Sequence, residues 1–309
     1  MRFNRRNFFA STAALSLPVA FPSRAFPSSE PLRFCLNTST IDNGQLSLRK
    51  KIEVAGAAGY QGVELWIRDI QRALESGDRL KDLQTLINDQ GLKVESAIGF
   101  ATWIVDDPKQ RQQGLEKAKK DMDWIRQLGG CRIAAPPAGA TKQPDLNLDS
   151  AAERYRILLE LGEKMEVTPQ LELWGFSQSM SRLGELAFVS VESGRADACV
   201  LPDVYHIYKG GSDFAGLNLF AGSAMHVFHM NDYPARPPRA TIKDADRVYP
   251  GDGVAPLDTI MQTLKSNGFA GVLSLELFNR SYWKQDPIQV AKTGLKKMQD
   301  LVNRNWSLG

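Results

Sequence analysis

Four residues whose types suit a metal ion stand near the ends of apolar runs in the second half of the chain. They are Glu172 in "LELW", Asp203 in "LPDV", His229 in "VFHMND" and Glu276 in "LSLELF". Burying a charged side chain in such a run is costly unless a partner compensates it. Three carboxylates around one imidazole cannot all stay ionised unless a cation compensates them, and this donor set suits Mn²⁺, Mg²⁺, Co²⁺ or Zn²⁺. The residues therefore predict a divalent metal site, with Mn²⁺ as the first expectation.

The histidines are concentrated in one short region. The 309 residues include only three, His206, His226 and His229. His226 and His229 are three apart in one predicted strand, so their side chains face opposite sides of it. We assign His229 to the metal because it stands nearer the carboxyl end of the strand. We expect His226 to be a packing residue or to contact the metal ligands without binding the metal itself.

The elements that must position these residues alternate between strands and helices from residue 32 onward. Short β-rich runs predict eight strands, over 32–37, 62–66, 93–100, 131–139, 168–176, 197–204, 225–232 and 271–278. Helical patterns follow them, over 46–60, 80–92, 106–130, 148–167, 181–195, 213–223, 256–269 and 286–306. Eight such units predict a single α/β (β/α)8 TIM barrel, whose active face lies at the carboxyl ends of the strands. The four metal candidates end strands five to eight, so they would be neighbours in space.

A doubly wound sheet also alternates strands and helices, but it normally has a glycine-rich phosphate turn after its first strand. The segment "LNTSTIDNGQ" is no such turn, and the chain has neither GxGxxG nor GxxxxGK[ST]. The sequence therefore favours the barrel, over residues 30–309, and gives no support to a nucleotide cofactor.

The amino terminus predicts an export signal over residues 1–25. Arg5 and Arg6 precede an apolar stretch, and "SRA" offers a cleavage site after Ala25. This order resembles a twin-arginine signal, with a Sec signal or a lipid-facing anchor as alternatives. No later run approaches the ~20 apolar residues of a membrane span. We therefore expect a periplasmic or otherwise exported protein that leaves the membrane after cleavage.

Charge and cysteine content narrow the classes of partner. The net charge is +3, part of it in the first 25 residues, and no basic stripe indicates nucleic acid. Three cysteines, Cys35, Cys131 and Cys199, have no CxxC spacing and are expected to be small buried residues. The expected partner is a small molecule, and the sequence leaves a homo-oligomer open.

A long irregular segment, residues 232–253, follows the seventh predicted strand, and its proline and charge content suggests a mobile loop over the site. Its arginines could reach polar substrate groups or be solvated. Tryptophans near strand ends could form a wall against a sugar or pack in the core. The candidates for substrate contact from these groups are Arg236, Arg239, Arg247, Trp66, Trp103 and Trp174, with Asn37 and Glu64 as further polar candidates.

Four segments, "LELWGFSQSMSRLGELAFV", "DVYHIYKGGSD", "HVFHMNDYP" and "RVYPGDGVAPLDTIMQTLKSNGFAGVLSLELF", resemble the xylose isomerase-like TIM barrels. That superfamily contains sugar phosphate isomerases and epimerases, ketose 3-epimerases and inosose dehydratase. The resemblance covers about residues 32–304. It implies that the family's metal ligands correspond to Glu172, Asp203, His229 and Glu276, and that His206 contacts substrate.

The resemblance also implies proton transfer next to a carbonyl through a metal-stabilised enediolate, with Glu172 and Glu276 as the catalytic acid and base. An isomerase or epimerase of a free sugar or keto-sugar is the first expectation, since the predicted export argues against a phosphorylated substrate. A β-eliminating lyase or dehydratase on a 3-keto-glycoside or inosose begins with the same step. A sugar-binding protein without catalysis and a metal-dependent endonuclease are the remaining alternatives.

Overall fold

The computed structural model describes residues 32–42 and 44–306, so the predicted signal over residues 1–25 lies outside the described residues. Within them, eight strands form a parallel β-barrel: β1 Arg33–Asn37, β2 Gly62–Trp66, β3 Lys93–Ile98, β4 Arg132–Ala135, β5 Thr168–Glu172, β6 Val200–Leu201, β7 Val227–Met230 and β8 Val272–Leu275. Ladders join β3-β2-β1-β8-β7 and β4-β5-β6, β3 packs beside β4, and two parallel bridges connect the β6 and β7 regions. The predicted α/β barrel is confirmed.

Nine α-helices surround the barrel in the described part of the chain: α1 Leu48–Ala58, α2 Ile67–Glu75, α3 Leu80–Asp89, α4 Pro108–Gln127, α5 Leu148–Met165, α6 Leu183–Glu192, α7 Val204–Gly210, α8 Leu257–Ser266 and α9 Pro287–Asn305. Their ends follow local capping chemistry. The Asp107 side chain accepts from the backbone N–H of Gln110, and Pro108 occupies the first turn of α4. Gly59 ends α1 with φ of 92°, a left-handed conformation that glycine adopts without a steric penalty.

The sequence pattern does not predict two of these helices, α2 and α7. Helix α2 starts directly after β2 with no side-chain cap, so no start signal marks it. Helix α7 is seven residues long and is capped by Asp203, whose side chain accepts from the backbone N–H of His206. This cap shortens the predicted sixth strand to Val200–Leu201, and the helix predicted over 213–223 is a 3₁₀ segment over Phe214–Leu219.

The core has two layers. The larger one lies between the strands and the surrounding helices. A separate inner cluster takes one side chain from each of seven strands: Cys35, Trp66, Ile98, Ala134, Leu201, Val227 and Val272. Cys35 and Cys199 are buried as expected, but Cys131 is exposed because it precedes β4 at the amino-terminal rim. In the described chain, no helix has the length and apolarity needed to cross a bilayer.

Candidate metal centre and active site

Asp203, His229 and Glu276 converge at the carboxyl ends of β6, β7 and β8. All three are buried, and one ligand atom from each lies within 4.8 Å of the others. Nδ1 of His229 lies 3.3 Å from Oε2 of Glu276 and 3.6 Å from Oδ2 of Asp203. Three of the four sequence-predicted metal ligands therefore form one close cluster.

Glu172, the fourth predicted ligand, ends β5 and lines the same cavity as Glu276, but it is not part of the close cluster. Its side chain is buried, and its Oε2 atom has no hydrogen-bond partner. Burial raises the pKa of Glu172 well above its ordinary value; His229 opposes this shift, while Glu276 and Asp203 reinforce it. Glu172 is therefore a buried carboxyl group beside the cluster with one oxygen free to bind or to exchange a proton.

His229 is oriented by a second carboxylate on its far side. Its Nε2 atom lies 2.9 Å from Oε2 of Glu64, which is completely buried on β2. The same oxygen accepts from the Ser274 hydroxyl at 2.8 Å. Burial alone would lower the pKa of His229, but Glu276 and Glu64 raise it well above its ordinary value. With its Nε2–H donated to Glu64, the imidazole would offer its Nδ1 lone pair to a metal once the proton on Nδ1 is released, as metal-binding histidines commonly do.

Asn37, at the end of β1, hydrogen-bonds to both Glu64 and Glu276. Its Nδ2 atom donates to Oε2 of Glu64 and to Oε1 of Glu276, both at 2.9 Å. Its Oδ1 atom accepts from Nε1 of Trp66 at 2.8 Å and from the Ser39 hydroxyl at 2.9 Å. Asn37 does not line the cavity. The structure thus gives Asn37 a positioning role, and its predicted substrate contact stays a prediction.

Arg247 reaches the cluster from the long loop after β7. Its Nη1 atom lies 3.0 Å from Oδ2 of Asp203 and 2.9 Å from Oε2 of Glu276, and the side chain is fully buried. Its Nη2 atom contacts Asp244 at 2.7 Å and Nε2 of His206 at 3.1 Å. Arg247 therefore brings a positive charge into contact with Asp203, Asp244 and Glu276.

The same loop is held in place by Asp232. Its carboxylate accepts from the backbone N–H groups of Tyr233, Gly251, Gly253 and Ala255. A Cβ atom at Gly253 would lie 2.3 Å from Oδ1 of Asp232, so only glycine allows this close approach. These contacts fix the loop so that Arg247 points inward.

His206 follows Asp203 by one turn of α7 and lines the cavity. Burial lowers its pKa below the ordinary value; Asp203 opposes the shift, and Arg247 reinforces it. A neutral imidazole beside the guanidinium group is suited to a hydrogen bond with a substrate oxygen. Its predicted substrate contact is consistent with this position.

A cavity of about 510 Å³ opens over these residues. Its lining comprises Trp66, Arg68, Ile98, Phe100, Glu172, Trp174, Phe176, His206, Lys243, Asp244, Ala245, Arg247, Glu276, Phe278, Arg280 and Trp283. Of the predicted substrate residues, Trp66, Trp174, His206 and Arg247 are in this set. Arg236 is exposed and outside it, so the geometry gives no support to a substrate contact there.

The other residues proposed from the sequence lie outside the cavity over the metal cluster. Trp103 is a core residue whose Nε1–H donates to the Pro136 carbonyl at 2.9 Å. Arg239 is exposed outside the cavity. His226 lines a separate cavity of about 700 Å³ with Cys131 and Arg132, at the amino ends of the strands. His226 therefore belongs to the opposite end of the barrel from the metal cluster.

The cluster fits a divalent cation on its own chemistry. Nδ1 of His229 and Oε2 of Glu172 are both buried without hydrogen-bond partners, and unpaired buried polar atoms are rare unless a function requires them. Burial opposes ionisation of Asp203, but the positive charge of Arg247 lowers its pKa far below the ordinary value, so it remains a carboxylate. Carboxylate oxygens and one imidazole nitrogen are ligands that Mn²⁺ and Zn²⁺ accept.

Comparison with known proteins agrees with this arrangement. A family model described as "Xylose isomerase-like TIM barrel" matches residues 52–301. An inosose isomerase of Bacillus velezensis is 26% identical over 278 residues, covering 88% of this chain and 98% of that protein. A 3-dehydroshikimate dehydratase of Pseudomonas aeruginosa is 23% identical over 82% of this chain, but the match spans only 39% of the dehydratase.

The fold is also shared with a solved structure. The crystal structure of the IOLI protein with a binding zinc atom superposes with a TM-score of 0.82 at 24% identity, covering 90% of this chain and 100% of that one. These matches confirm the resemblance inferred from the sequence and the prediction of an enzyme of a metal-dependent isomerase family.

Proposed function

We propose that this chain, which belongs to the xylose isomerase-like TIM barrel family, is a divalent-metal-dependent isomerase or epimerase of a free sugar or keto-sugar. The observation that carries the proposal is the pairing of two unlike carboxyl groups in one cavity. Glu276 is hydrogen-bonded through both oxygens, whereas Glu172 has a raised pKa and an oxygen without a partner. Carboxyl groups in unlike environments are the usual basis of acid–base chemistry at one site.

Asp203, His229 and Glu276 would hold the metal, with Glu172 as the fourth ligand. When bound, the metal supplies Lewis-acid stabilisation of negative charge on a substrate oxygen. The oxygen-rich donor set keeps Mn²⁺ as the first candidate, and Mg²⁺, Co²⁺ and Zn²⁺ remain compatible with it.

Glu172 is the residue that we assign to proton exchange at the carbon next to the carbonyl. Burial raises its pKa above the ordinary value, and a carboxyl group with a raised pKa is a better proton acceptor and donor near neutral pH than an ordinary one. Glu276 accepts hydrogen bonds from Arg247 and Asn37, and we assign it as a ligand and as the second acid–base group. We also assign Arg247 and His206 to substrate oxygens, and their position in the lining of the cavity supports this.

A β-eliminating lyase or dehydratase on a 3-keto-glycoside or inosose is the second candidate. It would use the same proton abstraction, and the partial match to a dehydratase favours keeping it. We also propose that the chain is exported, and an exported enzyme would meet unphosphorylated sugars. A sugar-binding protein without catalysis would need no proton-exchanging group, which is the role that we assign to Glu172.

The experiment is proton NMR of the Mn²⁺-loaded protein in D₂O with free ketoses, inososes and 3-keto-glucosides, each tested with wild type and Glu172→Gln. We expect deuterium to enter beside the carbonyl with the carbon skeleton intact, and the variant to lose this exchange. Loss of water or of an aglycone would support the lyase candidate instead. Exchange that is equally fast in the variant would contradict the role of Glu172.

A further inference from the structure

One wall of the cavity is a continuous series of aromatic side chains, here called the aromatic arc: Phe278, Trp66, Phe100, Trp174 and Phe176. Neighbouring ring centroids are 5.3 to 5.9 Å apart along the whole series. The first three contacts are edge-to-face, and Trp174 stacks on Phe176. The residues come from the ends of β2, β3, β5 and β8, so the barrel itself positions them.

Two rings of the arc are unusually open. Phe100 is 39% exposed and Phe176 is 48% exposed, and both line the cavity. Among the described residues, the one other phenylalanine with comparable exposure is Phe188, at 38%, which lies on α6 outside the cavity. Clustered exposed apolar groups in a cavity usually mark a binding surface, since covering them releases water.

The cavity is larger than one sugar ring requires. Even at the ~30 Å³ of liquid volume that a water molecule takes, the twelve non-hydrogen atoms of a hexose would fill roughly 360 Å³. The cavity measures about 510 Å³. A single hexose beside Glu172 and Glu276 would therefore leave room along the wall.

The chemistry of that wall favours an apolar, planar group over a second sugar. A sugar can place its C–H groups against such rings, but Phe100 and Phe176 have no polar atoms with which to bind its hydroxyl groups. Aromatic rings, by contrast, gain both buried area and ring–ring contacts of the kind that already links the arc.

We infer that the aromatic arc is a second subsite that binds an aryl group carried by the sugar at the metal centre. Of the two substrate classes proposed above, this selects a keto-sugar that carries an aryl group, for example an aryl keto-glycoside. The inference rests on the proposed function for the sugar at the metal centre, but binding at the arc can be measured without any turnover.

The experiment compares the affinities of the Mn²⁺-loaded protein for phenyl β-glucoside and methyl β-glucoside by NMR titration up to millimolar concentrations. Neither ligand has a carbonyl group, so neither undergoes the proposed proton transfer. We expect the phenyl ligand to bind at least about tenfold more tightly, because its ring is buried against the arc. The double variant Phe100→Ala/Phe176→Ala should reduce this preference to within about twofold.

Phe188→Ala is the matched control, since it removes an equally exposed ring outside the cavity; it should keep the tenfold preference. Thermal unfolding of each variant checks that the fold is intact. Absent binding of the phenyl ligand, equal affinities in the wild type, or a preference that survives the double variant would each overturn the inference. Deuterium exchange without an aryl preference would refute the subsite alone, and an aryl preference without exchange on any sugar would refute the proposed function alone.

Discussion

Replacing Glu64 by glutamine tests how the second carboxylate supports the metal ligands. Its Oε2 atom lies at 2.8–2.9 Å from three donors, Nε2 of His229, Nδ2 of Asn37 and the Ser274 hydroxyl. A glutamine of the same shape can face these donors with its oxygen, but without the negative charge. If its amide N–H₂ group faces these three donors instead, none of their hydrogen bonds can form. Either arrangement weakens the orientation of His229 and the basicity of its Nδ1 atom.

The expected effect is on metal affinity more than on folding. Loss of a group that hydrogen-bonds to a metal-ligating histidine typically costs about 10- to 100-fold in affinity. This corresponds to about 1.4 to 2.7 kcal/mol of binding free energy. The assay is competition of wild type and Glu64→Gln for Mn²⁺ and Zn²⁺ against a chromophoric chelator at fixed pH.

The matched control is Glu95→Gln. Glu95 is also a buried glutamate, on the neighbouring strand β3, but it pairs with Arg33 at 2.9 Å instead of with a metal ligand. Its replacement should lower the unfolding temperature and leave metal affinity unchanged. The reasoning would be refuted if Glu64→Gln folded normally and its metal dissociation constant stayed within about twofold of wild type.

Four further outcomes are expected. Glu172→Gln should reduce turnover by about 10²- to 10⁴-fold while the other three ligands retain metal, and steady-state kinetics with metal analysis would refute this if turnover persisted. Arg247→Met should destabilise the metal-free protein by about 3–5 kcal/mol, because it leaves buried carboxylates unpaired. Mn²⁺ should then stabilise the variant more than it stabilises wild type. Equal metal-induced shifts of the two proteins in urea unfolding would argue against this. Because the pKa of His229 is raised in the metal-free protein, metal binding at neutral pH should release at least one proton, and calorimetric enthalpies independent of buffer ionisation enthalpy would contradict this. Cys131 alone should react with a thiol reagent in the native protein, and rapid reaction of a second thiol would show the burial of the others to be wrong.

Much of the barrel was predictable because its strands are short apolar runs with polar residues at their carboxyl ends. That rule alone grouped Asp203, His229 and Glu276, which the structure brings within 4.8 Å. The two missed helices lacked the usual signals. Helix α2 starts without a side-chain cap. Helix α7 is capped by Asp203, and the sequence alone indicates only the other role of this residue, that of a metal ligand.

The parts that sequence reasoning could not assign depend on contacts between distant elements. Asn37 and Glu64 are direct neighbours across β1 and β2, so their pairing follows only once the strand register is known. The choice between Arg236 and Arg247 depends on how the loop folds back. Asp232 anchors the loop so that Arg247 is fully buried and Arg236 is exposed, and nothing in the local sequence distinguishes the two.

The most direct test of the account is a crystal structure of the protein soaked with Mn²⁺, with diffraction data collected at the manganese absorption edge. The account predicts one strong anomalous peak at the carboxyl ends of β5 to β8, with Asp203, Glu276, Nδ1 of His229 and a carboxylate oxygen of Glu172 as its protein ligands. The absence of a peak there, or manganese bound through Nε2 of His229, would contradict the proposed metal centre and the mechanism that depends on it.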